Sequence, residues 1–84
     1  MKRKVSLNGR NEIVHSIEKS LDEYFRKLDG EAPHGIYDMV IDHVERALLT
    51  SVLARVDGNQ TQAAEMLGLN RSTLRAKLTR YKIL

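Results

Sequence analysis

Gln60-Thr61-Gln62-Ala63-Ala64-Glu65-Met66-Leu67-Gly68-Leu69-Asn70-Arg71-Ser72-Thr73-Leu74-Arg75-Ala76-Lys77-Leu78-Thr79-Arg80-Tyr81 is the run on which the fold turns. It reads as helix, tight turn, helix. Asn59 stands where the first short helix needs an N-cap acceptor, and Gln62, three residues on, makes a capping-box-like pair with it. Gly68 falls where that helix must close through a left-handed residue, a conformation a Cβ disfavours. Asn70 is placed to cap the second helix. Helices that cross closely need a small residue at the contact, and Ala64, four before Gly68, supplies it. Ala63, Leu67, Leu69, Leu74 and Leu78 form an apolar set around the turn. The second helix then shows Arg71, Thr73, Arg75, Lys77 and Arg80 on its remaining faces. Its first turn offers Asn70, Arg71, Ser72 and Thr73, all able to hydrogen-bond base edges or phosphates. A helical hairpin that never meets nucleic acid is the bland alternative. Against it stand the caps, the small contact residue, the turn glycine, the apolar set and the basic second helix together.

The charge layout agrees. The 84-residue chain carries a formal net charge of +3, unevenly spread. Residues 1–10 hold a net +4, residues 11–57 a net −5, and residues 58–84 a net +4. An acidic middle and a basic last third predict an anionic partner met at one end. Bases alone would equally suit a solvated face, so it is the helix-turn-helix pattern that points to nucleic acid.

Working upstream, two longer helices are predicted. Over 11–28 the apolar residues Ile13, Val14, Ile17, Leu21, Tyr24, Phe25 and Leu28 make one helical stripe, with Asn11 as a candidate cap and Asp29-Gly30 as the stop. Over 36–56 apolar residues fall on most of the helix circumference. Val40, Val44, Leu48 and Val52 lie on one line, while Ile36, Met39, Ile41 and Leu49 point elsewhere. Such a helix is buried on more than one side. In a chain this short the second covering surface comes most simply from another subunit, and a single-chain bundle is the alternative. The fold class is therefore all-α, four helices, with 11–57 as the dimerisation helices and 58–84 as the helix-turn-helix.

Several functions drop out. With no cysteine there is no disulfide framework and no thiolate metal site or nucleophile. No apolar run reaches the roughly 18 residues of a membrane span, and the basic start, Lys2, Arg3 and Lys4, leads into no signal-peptide core. A cytoplasmic location is expected. His15, His34 and His43 lack metal-ligand spacing, and the serines lack a partnered base. Asp38, Asp42 and Glu45 share a face of the second helix and read as a solvated acidic face; Met39 and Met66 read as core. A chain of this length has little room for a catalytic pocket. No enzyme activity, cofactor, metal or small-molecule substrate is expected.

The run Gly58-Asn59-Gln60-Thr61 with Ala63-Ala64, then Gly68, Asn70-Arg71, Thr73-Leu74-Arg75, Lys77-Leu78 and Tyr81, resembles the DNA-binding end of the Fis family of bacterial nucleoid-associated factors. The same module closes enhancer-binding regulators of the NtrC class. Upstream, Ser16-Ile17, Leu21, Tyr24-Phe25 and Tyr37, Val40, Val44-Glu45, Leu48-Leu49 resemble that family's two dimer helices, so the likeness covers about residues 11–84. It implies an intertwined homodimer on double-stranded DNA, whose two recognition helices lie too close for successive grooves of straight DNA, so that the DNA bends. It implies base-edge contacts from Asn70 and Arg71, and backbone or flanking contacts from Asn59, Gln60, Thr61, Thr73, Arg75, Lys77 and Arg80. Basic positions of the family fall on Ala76 and Thr79, which predicts a looser or shifted sequence preference. A basic residue through which the family touches RNA polymerase, beside Gly58, falls on Asp57, leaving that contact open. A proline that kinks the family's second helix is Ala47. The short basic segment 1–10 is expected to be a flexible tail, with a weak extra DNA contact as the alternative; it shows no hairpin pattern like the family's arm, so recombinase stimulation is not expected.

The expected function is sequence-tolerant DNA binding and bending in nucleoid organisation and transcription regulation. Two alternatives are a dedicated regulator with few operators and a helical adaptor that binds protein.

Overall fold

In the computed structural model, which describes residues 10–84, these sequence signals become four helices: α1 (Arg10–Lys27), α2 (Ile36–Arg55), α3 (Gln60–Leu67) and α4 (Arg71–Arg80). Among the described residues there is no strand. The class is all-α, as the periodicities predict. Of the segment 1–10 only Arg10 is described, as the first residue of α1; the expectation of a flexible tail lies outside the described residues.

Two Asp-Gly pairs stop the two long helices in the same way. Asp29 and Gly30 follow α1 with φ of 51° and 87°, and Asp57 and Gly58 follow α2 with φ of 51° and 82°. Short polar Asp tolerates the left-handed region better than most residues, and Gly meets no Cβ penalty there. After α2 this conformation lets the Gly58 N–H donate to the Leu53 carbonyl at 3.0 Å, satisfying a terminal acceptor.

The chain forms two compact units, divided after Ile36. The first holds α1. Ile17, Leu21 and Tyr24 are half-buried along its stripe, while Ile13, Val14 and Phe25 are exposed. The Tyr24 and Phe25 rings meet edge to face at 5.5 Å. Because α1 begins at Arg10, Asn11 sits within its first turn instead of capping it.

The second unit, Tyr37–Leu84, holds the rest of α2 with α3 and α4. Its core is Leu49, Ala63, Ala64, Leu74, Leu78 and Tyr81, with Val52, Leu53, Val56, Leu67 and Ile83 packed around it. Leu49, Leu74 and Leu78 are fully enclosed, and each contributes on the order of 1.5–3 kcal/mol by leaving water. Ala64 is buried where α3 meets its neighbours, as a contact residue must be. Met66 is not core: it is 58% exposed. It lies two residues past Ala64, which on a helix is nearly the opposite face.

α2 presents two distinct apolar faces. Leu49, Val52, Leu53 and Val56 pack into the core of this unit. Tyr37, Ile41, Val44 and Leu48, at spacings of four, three and four, form a separate stripe that stays exposed. Among the described residues no helix is long and apolar enough to cross a membrane.

Candidate nucleic-acid interface

The helix-turn-helix is assembled by its two asparagines and one glycine. Asn59 has extended backbone (φ −72°, ψ 102°), and its Oδ1 accepts the Gln62 N–H at 3.1 Å. That is one half of the pair expected from the sequence. Gly68 adopts φ 74° and ψ 25°, and its N–H donates back to the Ala64 and Glu65 carbonyls. A Cβ at Gly68 would meet nothing within 4 Å, so the backbone angle, not crowding, demands glycine here. Leu69 N–H then donates to the Ala64 carbonyl at 3.0 Å, and the chain extends through Asn70 (φ −77°, ψ 160°) into α4. Asn70 Oδ1 accepts both the Thr73 N–H at 2.9 Å and the Ser72 hydroxyl at 3.0 Å.

The nine residues expected at the interface fall into three groups. Asn59, Gln60 and Thr61 open α3, and Asn70, Arg71 and Thr73 open α4. Both helix starts present N–H groups and a positive dipole end, which suit phosphate. With each asparagine Oδ1 occupied by its cap, the donating amide nitrogen is the part left for a ligand. Gln60 and Thr73 are half-buried; Asn59, Thr61, Asn70 and Arg71 are exposed. Arg75 lies one turn beyond Arg71 and is exposed too, and neither arginine forms an ion pair among the described residues.

Lys77 and Arg80 form the third group, and both are engaged. Lys77 Nζ lies 2.8 Å from Glu45 Oε2, with side chains only 30% and 22% exposed. Arg80 Nη2 donates to Asp42 Oδ1 at 3.0 Å in a more open pair. The Tyr81 hydroxyl reaches the same two acids, donating to Glu45 Oε1 and, at 3.2 Å, to Asp42 Oδ1. The Arg46 and Arg80 guanidinium groups lie over its ring at 5.5 and 5.4 Å, cation–π distances. So Asp42 and Glu45 are not a solvated acidic face. On α2 they continue the line of Leu49, Val52 and Val56 that joins the core shared with α3 and α4, and they pair with the α4 bases. Glu45 is held below the ordinary carboxylate range, first by the Lys77 hydrogen bond and then by Tyr81. The Tyr81 phenol is pushed up to about 12, chiefly by its bond to Glu45, then by burial and Asp42.

Residues 40–81, from early α2 through Tyr81, match the family described as bacterial regulatory protein, Fis family. A protein of Ralstonia nicotianae named as Fis-like and DNA-binding is 49% identical over 76 residues, covering 90% of this chain and 99% of that relative. The chain belongs to the Fis family. Fis-family relatives with the name DNA-binding protein Fis show the same extent of likeness. That of Proteus mirabilis is 44% identical over 81 residues, 90% of this chain and 83% of its own. That of Actinobacillus succinogenes is 41% identical over 80 residues, 89% and 81%. The family is one of regulators and not of enzymes. In this member, sequence reasoning missed the role of Asp42, Glu45, Arg46 and Tyr81. A signal was present: 42, 45, 49, 52 and 56 form one helical line whose later part is apolar, which directs Asp42 and Glu45 toward the side that the core occupies.

Proposed function

We propose that this chain is a Fis-type DNA-binding homodimer that bends DNA with loose sequence preference and serves nucleoid organisation and transcription regulation. The observation that carries the reading is α4. It is capped by Asn70 and exposes Arg71 and Arg75, without ion pairs among the described residues, on a helix-turn-helix of a regulatory family. Asn70 and Arg71 read base edges at the groove-entering end. Asn59, Gln60, Thr61, Thr73 and Arg75 meet backbone, and Arg80, whose pair with Asp42 is open to solvent, can exchange that partner for phosphate. The exposed stripe Tyr37, Ile41, Val44 and Leu48 supports a dimer through α2, with the apolar stripe of α1 taking part. Relatives named for DNA binding add weight.

A salt titration on random-sequence duplex tests it. A dimer that neutralises about six phosphates gives a slope of log K against log salt near −5. A slope near zero would remove nucleic acid as the partner. A circular-permutation gel run beside it reads the bend, and uniformly migrating complexes would refute bending. A genome-wide occupancy map that showed only a handful of sites would favour a dedicated regulator instead.

A further inference from the structure

Among the four helix bases of this subunit's DNA-binding end, Lys77 has the most enclosed setting. On α4 it stands nearly opposite Arg75, on the flank of the face that buries Leu74, Leu78 and Tyr81. Its partner cannot follow it outward. The Glu45 carboxylate is gripped from its other oxygen by the Tyr81 hydroxyl, and the tyrosine is only 4% exposed. The carboxylate is thus anchored by the core residue that caps the helix carrying the lysine. Asp42 and Arg80 add a parallel link one turn along.

We infer that Glu45 is a positioning residue that withholds Lys77 from DNA, so that each subunit meets phosphate with one base fewer than its sequence offers. This rests on the DNA-binding reading proposed above and refines it. A phosphate that took Lys77 would leave an ionised Glu45 beside the polyanion with the Tyr81 hydroxyl as its closest donor. The pair therefore subtracts from sequence-blind attraction while leaving Asn70 and Arg71 free to read bases. Specificity rises because the non-specific term, which is mainly phosphate charge, falls.

Glu45→Gln tests this, since the amide keeps the shape and an acceptor for Tyr81 while losing the charge. Binding to random duplex is measured by fluorescence anisotropy between 50 and 200 mM salt, with helix content recorded by circular dichroism. Each released lysine should steepen the slope by about 0.9, adding a roughly 3.5-fold loss across that salt range, or about 1.8 in slope for a dimer. The double variant Glu45→Gln/Lys77→Ala should return to the wild-type slope. A folded Glu45→Gln protein with an unchanged or shallower slope would overturn the inference. So would a double variant as steep as the single one. A merely structural role would weaken binding without steepening it. If Glu45→Gln loses its helices, the wild-type protein decides: on adding DNA, the NMR signals of the Lys77 ammonium and ε-methylene should stay put while those of the Arg71 and Arg75 side chains move. Movement of Lys77 comparable to that of the arginines would refute it. Failure of the DNA-binding reading itself would show separately, as wild-type protein without salt-dependent binding.

Discussion

Arg71 and Lys82 carry the same charge at opposite ends of the last helix, and they test its orientation. Arg71 opens α4 beside Asn70, where a bidentate guanine contact is worth about 1–3 kcal/mol. Lys82 follows the helix in a left-handed turn (φ 56°) and can offer only screened attraction. Arg71→Ala should therefore weaken specific binding about tenfold or more, and Lys82→Ala far less; equal losses in a competition assay would place the wrong helix end in the groove. Tyr81 is the second residue with a definite signature. Its phenol, bonded to Glu45 and Asp42, titrates near 12. A phenol with a raised folded value stabilises the fold below its unfolded value of about 10, and that contribution is lost as pH rises through 12. Subtracting the alkaline absorbance titration of Tyr81→Phe from that of the wild type should isolate a step near 12, and a step near 10 would disprove the bond. Glu45 acts in the acid direction. Its lowered value contributes stability above the ordinary carboxylate range, and that stability fades as pH falls through the lowered one.

At the scale of the element, α4 is a ten-residue helix of modest apolar character held by its ends and by the core. Its start depends on Asn70 Oδ1, which accepts from Thr73 and Ser72. Asn70→Ala should cost about 0.5–2 kcal/mol of stability and also remove the amide proposed to read a base edge; Asn70→Asp keeps the cap and removes the amide. Thermal midpoints of the two variants, set beside their affinities, separate the roles: Asp should restore stability but not specific binding. Its far end closes with the Ile83 N–H donating to the Leu78 carbonyl at 2.9 Å, which ties the last residues to the core face. The Asn70 cap, the turn glycine and the spacing of Leu74 and Leu78 are visible in the residues themselves, because caps and left-handed turns are local events. The pairing of Lys77 with Glu45 spans 32 positions of sequence and depends on how α2 lies against α4, which residue types alone do not specify.

For the whole molecule, the exposed stripe on α2 is the decisive surface. Tyr37 is 75% and Leu48 50% exposed on a helix whose other apolar face is already in use. The proposed dimer covers that stripe. Sedimentation at low micromolar concentration should give twice the 9.6 kDa chain mass, and Leu48→Glu should shift it toward monomer; a folded wild-type monomer would sink the proposal.

Local matters are legible in the residues: four helical segments, the left-handed turn at Gly68, and a basic helix that follows a capped turn. Hydrophobic period, cap chemistry and φ preference act within a few residues, so they are written in order along the chain. The family likeness belongs here as well, since it rests on the same run. Which charges remain available depends instead on how the helices pack. From the residues alone, Lys77 and Arg80 read as DNA contacts and Asp42 and Glu45 as a solvated acidic face. The core that Leu49 shares with Leu74 and Leu78, with Val52 and Val56 packed around it, brings those groups together. Coulomb attraction is blind to sequence separation and sensitive to distance. The fate of each charge was therefore set by the core that fixed those distances.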